Sequence, residues 1–154
     1  MKSIKLAQIA LLLWAVTIAV FSWFFVRGST AAGTDGRTAV VLQPAERELV
    51  LAEMRGLLVA TQGILAGANN GDMQHASKAA GMAGMAAAAD VNPVLMAKLP
   101  LEFKQLGMSV HHDMDDIAKA AAEGKSSAEI LKMTSGTLTK CIACHSAWQL
   151  KAAN

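Results

Sequence analysis

The chain opens with a continuous apolar run, Leu6–Val26, broken only by Gln8, Thr17 and Ser22. A helix of about 20 such residues crosses a bilayer, so residues 1–27 are expected to form a signal-anchor or a signal peptide. The pattern then changes. Residues 28–43 are rich in Gly, Ser, Thr and Ala and show no helical apolar period. They predict a flexible linker, with a reach of about 50 Å when extended. Within it, Ala39-Val40-Val41-Leu42 is a short apolar patch suited to packing on a following domain.

From Pro44 onward apolar residues recur at steps of three and four, the mark of amphipathic helices. Residues 44–154 are therefore expected to fold as an all-α domain. Pro44 suits a first helical turn, and Glu46 and Glu48 favour its positive end. Val50, Met54, Leu57, Leu58, Thr61, Ile64, Leu65 and Ala68 make its apolar face, and Gly67 and Asn69-Asn70-Gly71 end it. Asp72 caps a second, Ala-rich helix running to about Ala89, in which Gly81 and Gly84 permit close approach of a neighbour. Asp90-Val91-Asn92-Pro93 breaks it, and Pro93 and Pro100 bracket a connection with room for one more helical turn. A third helix starts at Leu101, carries the stripe Phe103, Leu106, Val110, Met114, Ile117 and Ala121, and stops at Gly124. Ser126 and Glu129 make a capping box for the last helix, whose stripe is Ile130, Met133, Thr137, Cys141, Cys144 and Trp148. Four helices with short connections predict an antiparallel four-helix bundle. Its small aliphatic core leaves space for a large apolar ligand.

Composition agrees with helices: 53% of the 154 residues are apolar, only 5% are aromatic, and Tyr is absent. The formal charge of +2 depends on Lys2, Lys5 and Arg27, without which the remaining 11 basic residues face 12 acidic ones. No basic patch for nucleic acid remains. Lys2, Lys5 and the free amine precede the apolar run and only Arg27 follows it, a bias that keeps the N-terminus cytoplasmic and exports the rest. Cleavage before Ala32, after Ser29-Thr30-Ala31, is the alternative to a retained anchor. The run is longer than the apolar core of most signal peptides, which favours retention in the inner membrane over a soluble periplasmic form.

The only cysteines lie in Cys141-Ile142-Ala143-Cys144-His145. C-x-x-C-H is the attachment sequence for c-type haem: the two thiols form thioethers to the porphyrin, and the imidazole binds iron. Helical spacing puts all three side chains on one face. Other uses of the motif are a thioredoxin-like pair, half of a zinc site completed by His75, His111 or His112, or a structural disulfide. The thioredoxin-like pair belongs beside a βαβ pattern, and no strand-like segment is evident. No nucleophile triad, phosphate-cradling loop or carboxylate pair is recognisable, so an enzyme is not expected. Asp113, Asp115 and Asp116 read as a solvated helix face, His75 and His112 as solvent-facing, and His111 as an edge residue.

A helical bundle whose last helix carries this motif resembles the class II c-type cytochromes, the cytochrome c prime family. The similarity covers about residues 44–152. It rests on Thr139–Trp148, with an aromatic residue three after the His; on Met54-Arg55 in the first helix; and on Asn70-Gly71-Asp72 at the first turn. Ile142 replaces the Lys frequent after the first Cys, and Val50 stands where an Arg often precedes the distal residue.

The resemblance implies one covalent haem c held by Cys141 and Cys144. It implies His145 as proximal iron ligand and Met54 as candidate distal ligand, since in this family the first helix faces the distal side of the iron. Arg55 and Lys140 are candidate partners of the haem propionates. With both axial positions filled, the expected function is a periplasmic one-electron carrier between redox partners of the periplasm or inner membrane. If Met54 does not ligate, the resemblance implies a five-coordinate haem that binds nitric oxide or carbon monoxide. A third reading is a haem subunit of a membrane oxidoreductase. Many family members are homodimers packed through their first two helices, and the same is an expectation here.

Overall fold

The computed structural model describes residues 2–89 and 91–153, and the side chains from residue 5 onward. The expected break at Asp90, and the amine and Lys2 side chain used in the topology reading, lie outside these. Most of the chain is helical. Helix α1 is Lys2–Arg27, and from Lys5 to Arg27 every residue is exposed. Phe21, at 71% exposure, and Trp14, at 67%, show the scale of uncovered apolar surface. This helix is long and apolar enough to span a membrane or to act as a signal sequence.

The segment after α1 corrects the sequence reading. Residues 28–43 are not a flexible linker: they hold strands β1 (Thr30–Ala32) and β2 (Thr38–Leu42). β2 pairs antiparallel with β1 and parallel with β3 (Trp148–Ala152), with Thr38 opposite Trp148 and Leu42 opposite Ala152. The apolar patch is the cause. Val40 and Leu42 are buried against Val50, Leu95, Leu99 and Phe103, and burial of such side chains is worth about 1.5–3 kcal/mol each. The peptide bond considered for signal cleavage, before Ala32, falls inside β1.

The junction between α1 and the sheet is short and well bonded. Gly28, at φ 63°, ends the helix in the left-handed conformation, and its N–H donates to Phe24 O at 2.8 Å. A side chain there would also lie 2.5 Å from Lys98 O. The next N–H, of Ser29, donates to that same carbonyl at 2.7 Å. Lys104 completes the seat: its ammonium donates to Phe25 O at 3.3 Å and lies 3.8 Å from the centre of the Phe25 ring.

The remaining helices are α2 (Pro44–Asn70), α3 (Met73–Gly81), α4 (Pro93–Lys98), α5 (Leu101–Ala122) and α6 (Ser127–Ala147). Several predicted signals operate. Asp72 accepts from His75 N–H, Ser126 accepts from Glu129 N–H, and α4 is the turn expected between the two prolines. α2 and α5 each pack against both α3 and α6. Ile64, Ala76, Ala80, Met114, Ile117 and Ile130 fill the space between them.

Other details differ from expectation. α3 ends at Gly81, and a separate 3₁₀ turn covers Met85–Ala88. Gly84 makes the close approach expected of it, since an added methyl would overlap the Asp115 carboxylate of α5. The α2–α3 contact adds Gly63 and Gly67, where a methyl would meet Ala79 Cβ at 2.6 Å and Ala76 N at 2.7 Å. Leu58 and Leu65, assigned to the apolar face of α2, are exposed at 70% and 40%. They sit one position beyond Leu57 and Ile64, which turns each by about 100° away from the core. Trp148 is not on the last helix. It opens β3, because pairing with β2 replaces the helical bonds there.

Candidate functional site

Cys141, Cys144 and His145 lie in the last two turns of α6. With Lys140 they line one side of a cavity of about 100 Å³. α2 supplies Val50, Glu53, Met54 and Leu57 to its wall, and α5 supplies Phe103, Leu106, Gly107, Val110 and His111. The structure thus brings together all four residues singled out from the sequence, Met54 included. The two cysteines are half-buried free thiols, Met54 is half-buried, and His145 is exposed at the rim. Met54 and Cys144 pack against the same apolar cluster, together with Trp148, whose ring meets Phe103 edge-on at 6.1 Å.

A larger cavity of about 380 Å³ adjoins the first, and Val50, Glu53, Leu57, Phe103, Gly107 and His111 line both. Its lining also includes Met82, Ala87, Leu95, Met96 and Leu99. The joint slot is walled mainly by aliphatic side chains. Burial pushes both thiols above their ordinary pKa; the Asp113 charge adds to this at Cys141, and Cys141 adds to it at Cys144. At neutral pH both are protonated. The arrangement presents two thiols, an imidazole at the rim and a thioether from the opposite helix around a mostly apolar space.

The polar groups of the wall were less legible. His111 is a buried residue and not an edge one: its Nδ1 lies 2.8 Å from Ala83 O and its Nε2 lies 3.0 Å from Glu53 Oε1. Both neighbours are acceptors, so the doubly protonated imidazolium satisfies both. The Glu53 hydrogen bond raises the His111 pKa against the opposing effect of burial, and the Ala83 carbonyl adds to the rise. A raised folded-state value gives stability that is complete below about pH 6.5, the unfolded value, and lost as pH rises through the folded one. We expect the urea midpoint to be higher at pH 6 than at pH 9. A charge-assisted hydrogen bond of about 1.5–3 kcal/mol is at stake. Glu53→Gln should flatten that dependence, measured by urea unfolding across the pH range.

Lys104 lines the larger cavity, and its burial lowers its pKa. Lys140 does not present a free charge to the slot: its ammonium is 2.7 Å from Asp113 Oδ2 and 3.3 Å from Ser109 O. Asp113 also accepts from Thr137 Oγ1, and Asp115 accepts from Met85 N–H, so the acidic group of α5 holds neighbouring elements together. Arg55 is exposed and outside the cavity lining. His75 and His112 are exposed, and among the described residues no three His, Cys, Asp or Glu side chains are grouped to hold a metal ion.

Comparison with protein-family models, curated proteins and solved structures finds no match to this chain.

Proposed function

We propose that the chain is a membrane-anchored, periplasmic mono-haem c-type cytochrome that carries single electrons. α2, α3, α5 and α6 are read as an antiparallel four-helix bundle of the cytochrome c prime type. The observation that carries the proposal is the meeting of Cys141, Cys144, His145 and Met54, from two helices, on one apolar cavity. The donor set fits haem c. Paired thiols three residues apart suit two thioether bonds, and imidazole nitrogen and thioether sulfur are a known axial pair. The slot that continues past Phe103 and His111 suits a flat, mostly apolar macrocycle.

When bound, haem c supplies one iron that gains and loses a single electron. Cys141 and Cys144 would hold it on α6, and His145 and Met54 would offer a nitrogen and a sulfur donor to its iron. Met/His ligation favours the reduced state and raises the potential. Val50, Leu57, Phe103 and Val110, which line the cavity, would exclude water from the bound group. α1 keeps the domain on the outer face of the inner membrane, within reach of periplasmic or membrane-bound redox partners. An ordered β1 across the cleavage position supports retention of that helix.

The test is the optical spectrum of the purified holoprotein, oxidised and reduced, with and without carbon monoxide. Sharp reduced bands, a long-wavelength thioether–iron band in the oxidised form and indifference to the gas are expected. A high-spin spectrum that shifts with carbon monoxide would replace electron transfer by gas binding.

A further inference from the structure

The β1–β2 turn reaches the end of α6 that carries the motif. Within it Gly33 N–H donates to Arg37 O at 2.9 Å. Asp35 grips the Arg37 guanidinium through Oδ2, accepting from Nε at 2.8 Å and from a terminal nitrogen at 2.6 Å. Asp35 Oδ1 accepts from Arg37 N–H at 3.2 Å and from Gln149 Nε2 at 3.0 Å. With one edge of the fork fixed in this way, the other terminal nitrogen donates to two main-chain carbonyls, His145 O at 3.1 Å and Trp148 O at 3.3 Å.

The carbonyl of His145 needs a partner. The last C=O groups of a helix have no intrahelical donor, and α6 stops at Ala147 because Trp148 joins the sheet. A cation at this end also complements the negative pole of the helix. The contact lies at the point where pairing begins, since Thr38, next to Arg37, stands opposite Trp148. His145 is therefore two residues from the end of its helix, where fraying is ordinarily greatest, yet its main chain is held from outside.

We infer that Arg37, oriented by Asp35, is a positioning residue for His145: it pins the last turn of α6 so that the imidazole stays aimed at the cavity. The inference rests on the haem reading. The side-chain hydrogen bonds of Arg37 go to Asp35 and to the main-chain carbonyls of His145 and Trp148. Its action is on the main chain of the ligand-bearing residue, and it comes from the segment that leaves the membrane helix.

The experiment uses the full-length holoprotein and its Arg37→Gln and Asp35→Asn variants, with Ile117→Val as a core variant that leaves the turn intact. Each is acidified while absorption follows release of His145 from iron and circular dichroism follows helix content. Mass spectrometry reports the two thioether bonds. Arg37→Gln should keep both thioethers and release His145 about tenfold more readily, which moves the midpoint up by about one pH unit. Asp35→Asn should move it the same way by less, and Ile117→Val should leave it in place. Amide exchange at residues 145–148 should quicken in the two turn variants alone. Equal midpoints in wild type and Arg37→Gln would overturn the assignment, as would an equal rise in Ile117→Val, which would mark general loss of stability. A wild-type protein without covalent haem would sink the haem reading itself, an outcome that the mass spectrum separates from the other two.

Discussion

Replacing Cys141 and Cys144 together with alanine should abolish covalently attached haem. In the wild type the mass of the purified chain should exceed the polypeptide mass by one haem, and denaturation should not release it. In the double variant the added mass should disappear. Each single variant should retain one thioether and less holoprotein. The physical basis is the direction of the two thiols, both half-buried on the cavity that Met54 closes from α2. On the haem reading, loss of the ligand would also remove its contacts with the walls of the two adjoining cavities. A ligand present at 100 times its dissociation constant adds about 2.7 kcal/mol to stability, and a covalently retained one adds more. The double variant should therefore melt well below the holoprotein, by calorimetry. An unchanged mass difference would show that the cysteines do not carry the cofactor.

Met54→Leu should convert a gas-indifferent iron into one that binds carbon monoxide. The apparent affinity for an external ligand falls with the fraction of molecules whose axial position is free. If Met54 leaves that position free in about 1% of molecules, its removal strengthens gas binding about 100-fold. The exchange nearly conserves volume and should cost less than about 1.5 kcal/mol, so the fold survives to be measured. Reduction potential should fall with the loss of the thioether. Spectra and a carbon monoxide titration decide the matter. An affinity equal to that of wild type would mean that Met54 is a core residue only.

How much of this was legible in the sequence depended on how local each signal was. Helix starts were readable because their causes sit within a few residues: Pro44, the Asp72 cap and the Ser126 cap each act on the adjacent turn. The Cys141-x-x-Cys144-His145 spacing was readable for the same reason, since one helix carries all three side chains to the cavity. The sheet was not, because β2 gains its parallel partner from the far end of the chain, and a Gly- and Thr-rich stretch looks mobile until Val40 and Leu42 find their cluster. The Glu53–His111 pair was hidden because its members come from different helices, and neither stands out on its own. Arg37 was one exposed-looking cation among many. Only the turn of the hairpin brings it to the carbonyl of His145.

The seat of α1 has a consequence for motion. Only Gly28 and Ser29 separate the apolar helix from β1, and Ser29 is bonded to the body that follows on both sides, donating to Lys98 O and accepting from Val41 N–H. With α1 in a bilayer, the domain cannot sweep the surrounding space. It turns and tilts only as the helix does, so lipid viscosity sets its rate of reorientation. Encounters then become a search in two dimensions, in which a partner sharing the membrane meets the same face of the domain each time.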